Sequence, residues 1–214
     1  MGGDDGTGPA GAPEDEPYRT VAGSGETAFE VRGSVFHGQV TFASGRGAAD
    51  AFVEEVRTAN PDATHVVPAY RVRDDEQFLR EYADDDGEPS GSAGEPALTV
   101  LQRRELENVA AAVVREYGGT NLGVGGLARA YSRAVGDAVD DAGVRRARPQ
   151  CRLTVTVGYD DSGTVRGILE SEDVTFEASY EGEVSFEVEA PQATVAAVCD
   201  RLRSATGGRV TIED

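Results

Sequence analysis

The sequence of 214 residues carries 20 basic and 39 acidic side chains, a net charge of −19, and every basic residue is arginine. That length suits one large domain or two small ones, and no window is apolar for the length a membrane span needs. Cys151 and Cys199 form no C-x-x-C pair for zinc or redox chemistry; they read as small buried hydrophobes, with a disulfide as the alternative.

An acidic, lysine-free surface predicts a protein kept hydrated by carboxylates at molar salt, as in the cytoplasm of a halophilic archaeon. The Debye length there is roughly 3 Å, so the net charge does not exclude an RNA partner. It does require close contacts, because counterion release then contributes little.

In chain order, residues 1–17 are Gly, Pro and acid, without an apolar signal-peptide core, and predict a disordered acidic tail on a cytoplasmic protein. From Tyr18 to Ala43 the pattern is strand-like, with runs over 28–32 and 34–43 and Gly33 as a turn or bulge between them. Residues 44–59 read as a helix capped by Ser44 and ended by Asn60-Pro61. His65 to Val72 is a strand in which Pro68 argues for an edge position or a bulge. An acidic connection leads to a helix opening at Pro96. Val109 to Val114 is a continuous apolar run that fits a strand buried on both faces. A helix from Leu127 to Asp141 turns Leu127, Ala130, Tyr131, Ala134, Val135 and Ala138 inward and stops at Gly143.

Beyond Pro149 the pattern is strand 151–157, helix 161–169, strands 174–180 and 183–190 around Glu181-Gly182, helix 191–205 and strand 210–212. The order β-α-β-β-α-β is that of a ferredoxin-like unit. The expected organisation is α+β in two domains, 18–148 and 149–214.

Two glycine-rich runs carry the candidate chemistry. In the first, Asp84, Asp85, Asp86 and Glu88 are close enough to hold Mg²⁺. Alternatively, Asp85 and Asp86 accept hydrogen bonds from loop amides or pair with Arg115. Pro89, Ser90 and Gly91 read as a turn, with Ser92 as a helix cap. His37 and His65 are the only histidines, so Ser90, His65 and Asp86 form the one nucleophilic triad worth naming; a hydrogen-bonded structural histidine is the other reading.

The second run places a Gly-rich loop between a strand and a helix N-terminus, which presents free amides to an anion. Gly123, Gly125 and Gly126 form either such a cradle or a tight helix–strand contact. No G-K-[ST] follows, which argues against a nucleotide cofactor. Arg129 and Arg133 lie on one helix face, and Arg145, Arg146, Arg148 and Arg152 follow. Arginine suits bidentate phosphate contacts. Tyr117 and Tyr131 could stack on bases; salt bridges and core packing are the competing roles.

D-D-G-E-P-S-G-S-A-G-E-P (85–96), V-R-E-Y-G-G-T-N-L-G-V-G-G-L-A-R-A-Y (114–131) and D-A-T-H (62–65) closely resemble the Impact family, also called YigZ or UPF0029. The resemblance spans Tyr18 to Ala142, and the part after it looks like the DUF1949-type domain of prokaryotic members. It implies a ribosomal protein S5 domain 2-like fold followed by a ferredoxin-like domain similar to the last domain of the translocase elongation factor. Glu116, Asn121 and Val66-Val67-Pro68 depart from the family pattern.

Together these readings predict a non-enzymatic, translation-associated regulatory protein, without cofactor or membrane attachment. It would bind RNA, the ribosome or a translation factor. The expected contacts are Arg115, Tyr117, Gly118, Gly119, Gly123, Gly125, Gly126, Arg129 and Arg133, beside a motif loop of Asp85, Asp86, Gly87, Glu88, Pro89, Ser90 and Gly91. Two alternatives are kept. One is a metal-assisted hydrolase or peptidase using the acidic loop 84–88. The other is a module regulating a kinase-type stress response, against which the absence of the eukaryotic members' extra module speaks.

Overall fold

The computed structural model describes residues 16–74, 77–172 and 174–213. Apart from Glu16 and Pro17, the tail over residues 1–17 lies outside them. The chain divides into two compact units, Tyr18–Ala147 and Arg148–Asp214. Among the described residues no helix is long and apolar enough to cross a membrane.

The first unit is built from β1 (Tyr18–Val21), β2 (Gly25–Val31), β3 (Ser34–Phe42), α1 (Arg46–Ala59), β4 (His65–Arg73), β5 (Leu79–Ala83), α2 (Gly94–Arg103), β6 (Val109–Glu116), α3 (Val124–Ala142) and β7 (Val144–Ala147). Five strands make one antiparallel sheet in the order β2-β3-β6-β4-β5. Strand β6 is central, which explains its unbroken apolar run. Val109, Ala111 and Val113 face the core shared with α2 and α3, while Ala110, Ala112 and Val114 face α1. A parity step of two along the strand then puts Arg115 on the α3 side, at the end of the run.

Helix α3 buries the six residues expected of it, and Val139 and Ala142 as well. It lies unusually close to the sheet. A Cβ on Gly38 would stand 2.4 Å from the main-chain oxygen of Ala134, and one on Gly25 2.2 Å from that of Ala138. No real Cβ approaches backbone so closely, so these two glycines set the helix-to-sheet distance.

Several local expectations are corrected. Pro68 lies in an interior strand, yet its missing donor does no harm. The Asp84 amide bonds the Pro68 oxygen at 3.3 Å just past the end of β5, so proline's nitrogen faces the point where pairing stops. Ser44 does not cap α1, whose N-cap is Gly45 and has no side-chain bond. Strand β5 and the two-stranded β1–β7 ribbon were not expected from the sequence.

The second unit contains β8 (Gln150–Val157), α4 (Tyr159–Ser171), β9 (Thr175–Tyr180), β10 (Val184–Pro191), α5 (Gln192–Ala205) and β11 (Thr211–Glu213). Its sheet order β11-β8-β10-β9, antiparallel throughout, is the ferredoxin-like arrangement. Cys199 is buried in its core and Cys151 packs against that core. The fold class is α+β, with the S5 domain 2-like arrangement in the first unit and the ferredoxin-like one in the second.

Candidate functional site: a structural acidic loop beside an arginine groove

Residues 85–88 close a two-residue turn, with Asp86 at φ 46°, Gly87 at φ 86° and the Glu88 amide bonded to the Asp85 oxygen at 2.9 Å. Each carboxylate of the loop has a structural partner. Asp85 Oδ1 accepts from the amides of Ala93 (3.0 Å) and Gly94 (2.8 Å), and Oδ2 from Gly91 (2.7 Å). It therefore supplies the cap of α2, and Ser92, expected in that role, makes no such bond. Asp86 Oδ2 accepts from Val66 N at 2.7 Å and Oδ1 faces Arg57 at 3.4 Å. The Asp84 carboxylate accepts from the Asp86 amide at 2.7 Å. Among the described residues no three His, Cys, Asp or Glu side chains gather as a metal-holding group.

Glu88 is the centre of a buried polar brace. Its Oε1 accepts from Arg115 Nη1 at 2.6 Å and from the Tyr131 hydroxyl at 2.7 Å. Arg115 is 4% exposed and also reaches Ser34 Oγ at 3.3 Å. The partner of Arg115 is thus Glu88, and neither Asp85 nor Asp86. This brace joins the two glycine-rich motifs, one supplying the carboxylate and the other the guanidinium and phenol. Burial first, and then the bond to Glu88, push the Tyr131 phenol far above its ordinary value, so it remains a donor.

One expected role is corrected here: Arg115 offers no free guanidinium to a phosphate. For Tyr131 the structure selects core packing, the competing role to stacking, since the ring is fully buried. The triad is not assembled either. His65 turns Nδ1 to the main-chain oxygen of Asp86 at 2.7 Å and Nε2 toward Glu88 at 3.9 Å, so neither nitrogen addresses Ser90. Ser90 and Gly91 form the exposed tip of a second turn closed by Ser92 N to Pro89 O at 2.9 Å.

The loop's capping role has a pH signature. Burial pushes the Asp85 carboxyl up, but the amides of Gly91, Gly94 and Ala93 outweigh it and leave it below its ordinary value. A depressed folded-state pKa gives stability that is present above the unfolded value and lost as pH falls through the folded one. Asp85→Ala is expected to cost about 1–2 kcal/mol at neutral pH and to flatten the loss of stability below pH ~4. Urea denaturation at neutral and acid pH checks this; an acid slope equal to that of the unaltered protein contradicts it.

The second glycine run behaves differently. Gly118 packs on the β2–β3 turn so tightly that a Cβ would stand 1.9 Å from the carbonyl carbon of Gly33. Its role is close packing. Gly119 and Gly123 lie in an open loop at positive φ, 82° and 69°. The Gly123 oxygen accepts from the amides of Gly126 (3.0 Å) and Leu127 (2.9 Å), which starts α3. The amides of Val124 and Gly125 precede the first intrahelical donor and point out of the helix end. Gly125 leaves room for the Arg129 guanidinium, whose Nη1 is 3.5 Å from where a Cβ would be, and Gly126 packs against Leu122.

Beside this helix start is a groove of about 250 Å³ lined by Phe29, Val31, Arg32, Leu122, Gly126, Arg129, Ala130 and Arg133. Arg133 lies 4.1 Å over the Phe29 ring and is held by Asp137 at 3.1 Å. Arg32 and Arg129 have no carboxylate partner among the described residues. Arg32 was not foreseen; it stands 97 positions from Arg129 and no local pattern links them. The other arginines of the first unit singled out in the sequence do not line this groove. Arg145 and Arg146 follow the far end of α3, ~14 Å of helix beyond Arg133. Arg145 lies over Phe42 instead. Arg148 and Arg152 are in the second unit, where Arg152 faces Glu189 at 3.6 Å.

The sheet, the braced motifs and the ferredoxin-like unit define the class. The model of the Impact N-terminal domain matches residues 32–139, and that of the domain of unknown function DUF1949 matches residues 155–209; the chain belongs to the IMPACT family. It is 31% identical over 198 residues to the IMPACT family member YvyE of Bacillus subtilis strain 168, covering 92% of this chain and 90% of that one. It is 33% identical over 186 residues to the family member YigZ of Escherichia coli strain K12, covering 86% and 90%. A crystal structure described as that of a hypothetical protein superposes with a TM-score of 0.67 at 30% identity, covering 92% of this chain and 96% of that one.

Proposed function

We propose that this is a non-enzymatic, translation-associated regulatory protein of the cytoplasm that binds RNA through the groove of Arg32, Arg129 and Arg133. One observation carries the reading. In a lysine-free chain of net charge −19, three arginines converge on one concave surface at a helix N-terminus, and two of them have no carboxylate partner among the described residues. A free guanidinium is weakly hydrated and matches a phosphate with two parallel bonds. The helix dipole and the exposed first-turn amides favour the same sign of ligand. The acidic loop, by contrast, has its carboxylates engaged by amides, Arg57 and Arg115, which supports a structural part over a hydrolytic centre. The association with translation rests on the two domain folds, which the family resemblance links to translation components, and is a fold-level analogy.

The test is binding of RNA by the purified protein in molar KCl. Arg32→Gln with Arg129→Gln is expected to weaken binding about 10- to 100-fold. It should also flatten the dependence of log K on log salt by about 1.4 for a single strand. Both residues are exposed, so thermal unfolding should not move. Unchanged affinity in the double variant, or no binding to RNA at all, would contradict the reading.

A further inference from the structure

We infer that Tyr117 is a preformed stacking platform for one unpaired nucleobase, so that the ligand of the groove is single-stranded RNA and not a duplex. This deepens the proposed function and rests on the groove being an RNA site. Tyr117 follows the last residue of β6 and leaves 45% of its surface exposed. An exposed aromatic is ordinarily free to rotate, and ordering it on a ligand costs entropy. Here the residue is held at its backbone and at its ring. The Tyr117 amide donates to Thr64 Oγ1 at 3.0 Å, and its hydroxyl donates to Asn121 Oδ1 at 3.0 Å. The Arg115 guanidinium lies 5.4 Å from the ring centroid.

That guanidinium is itself immobile, because Glu88 holds it at 2.6 Å and it also lies over Phe36 at 5.5 Å. The buried brace therefore backs one face of Tyr117 and leaves the outer side open. Asn121, four residues on in the same loop, supplies the hydroxyl's partner. The loop that carries the platform borders the groove. Gly118 packs on Gly33, the neighbour of Arg32, and Leu122 of the same loop lines the groove.

Stacking suits the salt regime that the composition predicts. At molar ionic strength the reach of charge falls to roughly 3 Å, whereas ring-on-base contact is not screened in that way. A base inside a duplex has no free face to offer, so the platform selects unpaired strands.

The chain has no tryptophan, so Tyr117→Trp places its one tryptophan, excited selectively over the tyrosines, on the platform. Titration with a short oligouridine should quench it, and a blunt RNA duplex should not. Tyr117→Ala should weaken oligouridine binding about 5- to 150-fold and leave duplex binding unchanged. Tyr117→Phe, which keeps the ring, should retain most of the affinity. Equal affinity for strand and duplex, no quenching and no effect of Tyr117→Ala would overturn the stacking inference; if arginine-dependent binding persists in that case, the groove reading survives. If the unaltered protein binds neither RNA, the groove reading fails and the platform falls with it.

Discussion

Replacing Glu88 with Ala is expected to destabilise the first unit by about 3–5 kcal/mol, the cost of leaving a buried charge without its partner. Arg115 is 4% exposed, its Nε already has no bond, and loss of Glu88 would strip it of its only carboxylate among the described residues. The Tyr131 hydroxyl would lose its acceptor in the same step. For a unit of this size the change corresponds to a fall in Tm of roughly 10–20 °C.

Direction is informative here. A buried ion pair contributes less than its removal by halves suggests, since apolar replacement of both partners is often near neutral. Glu88→Leu with Arg115→Met and Tyr131→Phe should therefore recover most of the loss. Calorimetry on both variants checks the account. A Glu88→Ala protein that melts where the original does would show that the brace carries no stability. A triple variant as unstable as the single one would show that the geometry of the charges, and not their pairing, is what the fold requires.

Gly118→Ala should have the next largest effect. The new Cβ would overlap the carbonyl carbon of Gly33 at 1.9 Å and its oxygen at 2.0 Å, and both are backbone. Backbone cannot swing aside as a side chain does, so the loop or the β2–β3 turn must move. Overpacking of this kind costs typically 1–3 kcal/mol, and the upper end is expected here. The same movement separates Tyr117 from Arg32, so RNA affinity should fall together with stability. Gly119→Ala, in open space but at a φ of 82°, introduces backbone strain alone and should cost about 1–2 kcal/mol with little effect on packing. Denaturant melts and binding isotherms on the two variants separate packing from strain. A Gly118→Ala protein with unchanged affinity would show that the loop and the turn act independently.

What the sequence conveyed depended on how local the signal was. The inner face of α3 was legible because apolar residues recur with the helical period, and so was β6, whose Val109–Val114 run serves two cores. The ferredoxin-like order followed from alternating patterns. Strand β5 was hidden because most of it is exposed and it carries Arg80, Glu81 and Tyr82 outward. Helix α2 gave no sign of its cap, since Asp85 reaches it from eight residues before Ala93.

The site was legible only in part. Arg129, Arg133 and the loop before them were picked out by composition, but Arg115 was grouped with them because sequence does not report burial. Asp85 and Asp86 were the partners its sequence neighbourhood offered, and only the fold selects Glu88. Arg32 and Phe29 come to the groove through the pairing of β2 with β3 and their packing beneath α3, a long-range consequence with no local motif.

The proposed RNA site is tested most directly by UV crosslinking of the intact protein to a single strand in molar KCl, with the crosslinked peptides identified by mass spectrometry. Crosslinks confined to residues 29–33 and 117–133 are expected. Crosslinks on the acidic loop 84–91 or in the second unit instead, or none at all, would contradict the assignment of the arginine groove.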